Sequence, residues 1–356
     1  MFFIRTFSAG LALAIISVSS VFADVKVVVS IKPVHSLVSG VMQGVGTPAL
    51  IVEGAGSPHT YSLKPSQARA LQSADVIFWV GHDLEPFLEK PMETLGGNAR
   101  VIELIDADGI TTIAVREGGT FDSHDHDHGH ADEHDDHKDE HAHKDEHDDH
   151  KDERAHKDEH DDHKDEHAHK DEHDDHKDEH ADAHGHEDGE ADLHVWLDPA
   201  NAQALVLAIR DTLIAADPAH ASRYRSNADK LVADLGELTT ELTATLAPVK
   251  AAPFVVFHDA YQYFEKRFGL NAVGSITVSP EVVPGAERIV EIREKLQGLG
   301  AGCVFSEPQF TPKLVEVVAE GTGARTGVLD PLGADLDAGA DLYSALMRGM
   351  AASMRD

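Results

Sequence analysis

Short runs of consecutive apolar residues alternate along most of the chain with stretches whose apolar residues recur every three or four positions. The first pattern predicts strands at Val25–Ile31, Ala49–Val52, Val76–Val80, Val101–Leu104 and His194–Trp196. A second set falls at Phe254–Phe257, Leu270–Ile276, Cys303–Ser306 and Thr326–Leu329. The second pattern predicts helices at Pro33–Met42, Ser66–Gln72, Pro86–Thr94, Gly285–Leu299 and Pro312–Thr322. Strand and helix in alternation predict an α/β fold of mostly parallel sheets flanked by helices. Runs such as VKVVVSI and FVVF, apolar without alternation, fit strands buried on both faces.

Between the two strand sets the pattern is helical throughout. Pro199 opens one helix, and Asp217-Pro218 opens another with no strong breaker before Pro248. In the second, Tyr224, Ala228, Leu231, Leu235, Leu238, Leu242 and Leu246 form one apolar stripe. A helix of about thirty residues would span roughly 45 Å, the length of a strut joining two lobes. The division expected is a first lobe of residues 24–121 and 193–216, a linking helix 217–250, and a second lobe 251–356.

The pattern stops at 122–192. This stretch holds a few alanines and no larger apolar residue, so burial cannot offset its ordering entropy, and it is expected to be disordered. It carries 32 of the chain's 64 acids against 8 bases, and 20 of its 26 histidines. A 13-residue unit, DDHKDEHAHKDEH, runs from Asp135 to His147 and recurs from Asp148 (with Arg154 for His) and from Asp161. Imidazole suits zinc, copper, nickel and iron, so such a tract reads as transition-metal binding. Its candidate ligands are His124, His126, His128, His130, His134, His137, His141, His143, His147 and His150 in the first half. His156, His160, His163, His167, His169, His173, His176, His180, His184 and His186 follow. HKDEH at His137 and His143 matches a zinc-hydrolase pattern, but without an apolar helix face it carries no catalytic reading. The formal net charge of −34 disfavours nucleic acid and anionic membrane surfaces as partners.

Residues 1–23, with Arg5, an apolar run and Val21-Phe22-Ala23, read as a cleavable secretory signal. No cysteine follows it to take a lipid, so a periplasmic monomer with no membrane anchor is expected. The lone Cys303 allows no internal disulfide.

Six histidines lie outside the tract. His35, His82 and His220 fall at helix starts or loops and read as structural. His59, His194, His258 and Asp330 each lie at or beside a strand end, where parallel sheets gather their ligands. Three imidazoles and one carboxylate suit a four-coordinate zinc shell. Glu307, after the Cys303 strand, is placed to orient one of the imidazoles.

Seven segments then carry a resemblance: SIKPVHSLV at Ser30, GSPHTYSLKPSQ at Gly56, ADVIFWVG at Ala74, HVWLDP at His194, FHDAYQYFE at Phe257, SEPQF at Ser306 and LDPLG at Leu329. In this order, with a His-rich insertion before HVWLDP, the chain resembles the ZnuA-like zinc substrate-binding proteins of bacterial ABC importers. The resemblance implies two α/β lobes bridged by a long helix, with Zn²⁺ in the cleft as the transported ligand. It implies His59 and His194 from the first lobe, and His258 and Asp330 from the second. The partners implied are an inner-membrane permease and its cytoplasmic ATPase. His258 resembles the zinc members, because manganese relatives tend to place a carboxylate there. Where some members carry Glu before the first histidine this chain has Pro58, leaving Asp330 or water to complete the shell. The alternatives are a manganese or broad divalent-metal carrier, a zinc buffer without a transporter, and a secreted zinc hydrolase.

Overall fold

The computed structural model describes residues 25–116, 191–277, 279–280, 284–299 and 302–356. The segment 1–23 expected to be a signal, and the histidine tract but for Ala191 and Asp192, lie outside these residues.

The first sheet is built from β1 (Val27–Val29), β2 (Ala49–Leu50), β3 (Val76–Trp79) and β4 (Arg100–Glu103). The strands are all parallel, in the order β2-β1-β3-β4. Every residue of the central β1 and β3 is buried, as their unbroken apolar runs require, whereas β2 and β4 at the edges are partly exposed. Helices α1 (Lys32–Val41), α2 (Pro65–Gln72) and α3 (Pro86–Leu95) connect them. Each carries a proline at its first or second position, where a missing N–H costs nothing.

The second sheet repeats this topology. β5 (Pro253–His258), β6 (Asn271–Thr277), β7 (Cys303–Ser306) and β8 (Arg325–Val328) are parallel in the order β6-β5-β7-β8. Successive residues of β5 feed opposite cores, as the two-residue pleat dictates. Phe254 and Val256 join the large core that continues through the first lobe, with Phe264 and Phe268 of α6 (Gln262–Phe268), while Val255 and Phe257 pack beneath α7 (Ala286–Leu299) and α8 (Lys313–Ala319).

Two helices join the sheets: α4 (Pro199–Ala216) and the strut α5 (Ala221–Leu246). The strut is about 39 Å long at the usual rise per residue. Its buried stripe is Tyr224, Ala228, Leu235, Leu238, Leu242 and Leu246. Leu231 faces α1 closely: a Cβ on Gly40 would lie 2.9 Å from its Cδ2, so a larger residue there would have to displace the leucine side chain. Single-turn 3₁₀ helices at Pro218–His220 and Ala247–Val249 bound the strut, each set by its proline.

Two differences from the sequence reading bear on function. The segment predicted as a strand at His194–Trp196 is a 3₁₀ turn, Val195–Leu197, running into α4. Short apolar runs do not distinguish the two. Here Asp198 fixes the outcome by capping α4 through Ala200 N (2.8 Å), and the turn buries all three apolar side chains. Second, α9 (Leu342–Arg355), which the sequence reading did not identify, packs along α5 and α1. The chain thus crosses from β8 back towards the first lobe. At the edge of the undescribed stretch, Ala114 and Ala191 form an antiparallel bridge, and Asp192 N donates to Ile113 O at 2.8 Å. Among the described residues no helix is long and apolar enough to cross a membrane.

Candidate metal centre

Three imidazoles converge from separate elements. His59 lies in the 3₁₀ turn Pro58–Thr60 after β2, His194 caps the turn before α4, and His258 ends β5. One nitrogen from each lies within 4.8 Å of the other two. Their ring centroids are 5.3 to 5.7 Å apart.

Hydrogen bonds set which nitrogens face inward. His194 Nδ1 meets Asp192 Oδ1 at 2.7 Å, and His258 Nδ1 meets Glu307 Oε1 at 2.8 Å. A carboxylate accepts and does not donate, so both Nδ1 atoms carry the proton and both Nε2 atoms offer a lone pair. The two Nε2 atoms are 3.4 Å apart. Two nitrogens bonded to one zinc at about 2.0–2.1 Å and the tetrahedral angle would be about 3.3–3.4 Å apart. Two facing lone pairs repel unless a cation or proton lies between them, so the spacing suits a bound ion.

Both acids are themselves held. Asp192 is 3% exposed; its Oδ1 also takes His194 N, its Oδ2 accepts from Gln262 Nε2, and its carbonyl accepts from Tyr263 Oη. Glu307, also 3% exposed, takes His258 N through Oε1. Nearby, burial pushes the Asp259 carboxyl up to about 7, with Arg116 opposing the shift. His59 is moved the other way, down to about 2, by burial and by the two neighbouring imidazoles. It stays neutral, the form a metal needs. For His258 burial favours the neutral ring, but the attraction of Glu307 and its hydrogen bond, with Asp259 and Asp192, outweighs this and raises the pKa.

Asp330 is not part of this group. Its carboxylate accepts backbone N–H bonds from Leu332, Gly333 and Ala334 and the side-chain amide of Gln309. These donors tie it to its own turn. The same turn is held from the other lobe by buried Lys32, whose Nζ donates to the carbonyls of Gly333, Ala334 and Leu336 at 2.8 to 3.0 Å. Trp196 Nε1 donates to Pro331 O at 2.9 Å, fixing the turn against the site wall. Glu307, expected to orient an imidazole, does so for His258. The reading of the sequence missed Asp192, which looks like the last acid of the tract. Its signal was the spacing Asp-x-His, which lets a side chain reach the ring two residues on. The twenty tract histidines lie outside the described residues.

The family model "ZnuA: Zinc-uptake complex component A periplasmic" matches residues 27–356. The chain belongs to this family. A member from Brucella abortus (strain 2308), the high-affinity zinc uptake system protein ZnuA, is 57% identical over 330 residues, 93% of this chain and 90% of the relative. The protein of that name from Paracoccus denitrificans is 42% identical, with 93% and 91% covered. A crystal structure of ZnuA superposes with a TM-score of 0.67 at 22% identity, covering 94% of this chain and 98% of the other. A manganese-bound periplasmic metal-binding protein from candidatus liberibacter asiaticus gives 0.64 at 20%, with 93% and 98% covered. At these identities the structural likeness speaks to the fold, which zinc and manganese binders share, so the choice of metal depends on the donor atoms.

Proposed function

We propose that this chain captures Zn²⁺ in the periplasm and delivers it to an ABC-type import permease powered by a cytoplasmic ATPase. It is a solute-binding component and not an enzyme. His59, His194 and His258 are the residues proposed to hold the ion. The observation that carries this reading is the pair of inward Nε2 lone pairs, 3.4 Å apart, each backed by a carboxylate on Nδ1. Nitrogen donors favour zinc over manganese, which prefers oxygen. Asp192 and Glu307 balance the double charge of the ion through the rings, without touching it. The signal segment 1–23 and the family's periplasmic members support export. The stretch 122–192 serves, in this reading, as an accessory zinc reservoir or sensor delivering to the site beside His194.

Zinc titration of the full chain, competed against a chromophoric chelator, tests the assignment. His59→Ala and His258→Ala should each abolish the tightest site, while removal of 122–190, which spares Asp192 behind His194, should leave it and delete weaker ones. A hundredfold excess of manganese should not displace the tight zinc. Retention of full affinity in both histidine variants would refute the site; displacement by manganese would refute the selectivity.

A further inference from the structure

The three imidazoles leave a zinc ion one donor short of four. The cavity they share with Gln309, Glu307 and Pro331 encloses about 10 Å³. That is room for one water-sized particle. An ion seated there leaves little space beside it, so a donor already on the wall competes well with a separate water. Of the side-chain oxygens lining it, Glu307 Oε2 and Gln309 Oε1 are buried without a hydrogen-bond partner. Glu307 is held at the Nδ1 edge of His258, on the opposite side of that ring from Nε2. This leaves Gln309.

The orientation of the Gln309 amide follows from chemistry. Its Nε2 donates to Asp330 Oδ1 at 2.9 Å, and a carboxylate can only accept, so the NH₂ faces Asp330 and the unpartnered Oε1 is the end left free. Asp330 is itself immobilised by the three backbone N–H groups of its turn. Charge is consistent as well. With Asp192 and Glu307 already behind two rings, a neutral oxygen suffices, and a third carboxylate on the ion is not needed.

Resting on the zinc reading above, we propose that Gln309 supplies the fourth zinc ligand through Oε1. Asp330 is the positioning residue that turns that oxygen inward. A carboxamide oxygen is a weaker donor than a carboxylate, which suits cargo that must be released.

Cobalt(II) bound to the full chain provides the test, because its visible spectrum reports a coordinated water that titrates. The wild-type spectrum should stay constant between about pH 6 and 9, the range in which metal-bound water ionises. Gln309→Leu removes the oxygen at similar size. It should lower the affinity of the tightest zinc site by about tenfold or more and introduce a pH transition as water enters, with metal-free thermal unfolding unchanged. Gln309→Glu restores an oxygen and should abolish that transition. Asp330→Asn can turn its own NH₂ towards Gln309 and reverse the amide, so it should reproduce the Leu spectrum in part. A wild-type spectrum that titrates, or a Gln309→Leu variant with unchanged affinity and spectrum, would overturn the proposal. In either case loss of binding in His258→Ala would leave the three-histidine site standing.

Discussion

Asp192→Asn isolates the contribution of a charge that never touches the ion. Asparagine can still accept from His194 Nδ1 through its oxygen, so ring orientation survives while the negative charge goes. The carboxylate oxygen is 2.7 Å from Nδ1. Adding the width of the ring and one zinc–nitrogen bond, each about 2 Å, puts it about 6–7 Å from the metal. At an effective dielectric constant near 20, a unit charge at that distance from a doubly charged ion is worth about 5 kcal/mol. That is an upper bound, because the amide dipole replaces part of the field and the metal-free protein is relieved of a buried charge. Carboxylates behind metal-bound histidines typically contribute 10–100-fold in affinity, or about 1.4–2.7 kcal/mol. The expected loss is therefore 10–100-fold, read by competition with a chelator at substoichiometric zinc, so that only the tightest site is sampled. Glu307→Gln should act alike through His258, and the double variant should approach the product of the two losses. An Asp192→Asn affinity within twofold of wild type would refute the idea that the ion is neutralised through the rings.

Zinc affinity should rise with pH through 6.5 and go on rising until the raised pKa of His258 is passed, because zinc displaces a proton that persists past the usual imidazole range. His59, held near 2, adds nothing to that slope, and an affinity flat from pH 5.5 to 8.5 would contradict the assignment. Lys32→Met leaves three carbonyls without their ammonium donor and should destabilise the metal-free protein by about 2–4 kcal/mol in urea unfolding; a change under 1 kcal/mol would mean the turn is held otherwise. Glu85 is fully buried and pushed up to about 7 by desolvation, so the stability it gives below its unfolded pKa of about 4.5 is lost as pH rises towards 7. Glu85→Gln should be more stable than wild type at pH 8, on the order of 2 kcal/mol, with the gap closing at pH 5; a gap independent of pH would dismiss titration as its cause.

The sheets were legible because burial on two faces leaves unbroken apolar runs, and the strut because a seven-residue stripe repeats at helical spacing. His59 and His258 were legible because strand ends in parallel sheets gather ligands, whereas His194 was reached through a strand that proves to be a turn. What escaped was decided by local hydrogen bonds. Asp330 has the position of a ligand, but Leu332, Gly333 and Ala334 offer it three N–H groups within its own turn, and no periodicity reports that competition. Asp192 is masked by the acids before it, and Gln309 by being uncharged. The turn at Val195–Leu197 reads as a strand because its three apolar residues are all buried, the trait of a central strand. The return of α9 onto α1 and α5 depends on contacts far apart in the chain, such as Tyr343 N with Ser36 Oγ and Arg348 with Glu241, and these leave no local trace.

The bridge between Ala114 and Ala191 has a consequence for how such a chain can change. The backbone leaves and rejoins the lobe through neighbouring points, so the lobe meets the same two ends whatever lies between. One more 13-residue unit would alter the closure of the stretch 117–190 by only about 0.1 kcal/mol, even with none of it ordered. It would shift no strand register, no helix phase and no imidazole. The gene can gain or lose repeats without the fold registering the difference. On the proposed reading, the amount of metal held in reserve and the tightness of the site then become two separately adjustable quantities.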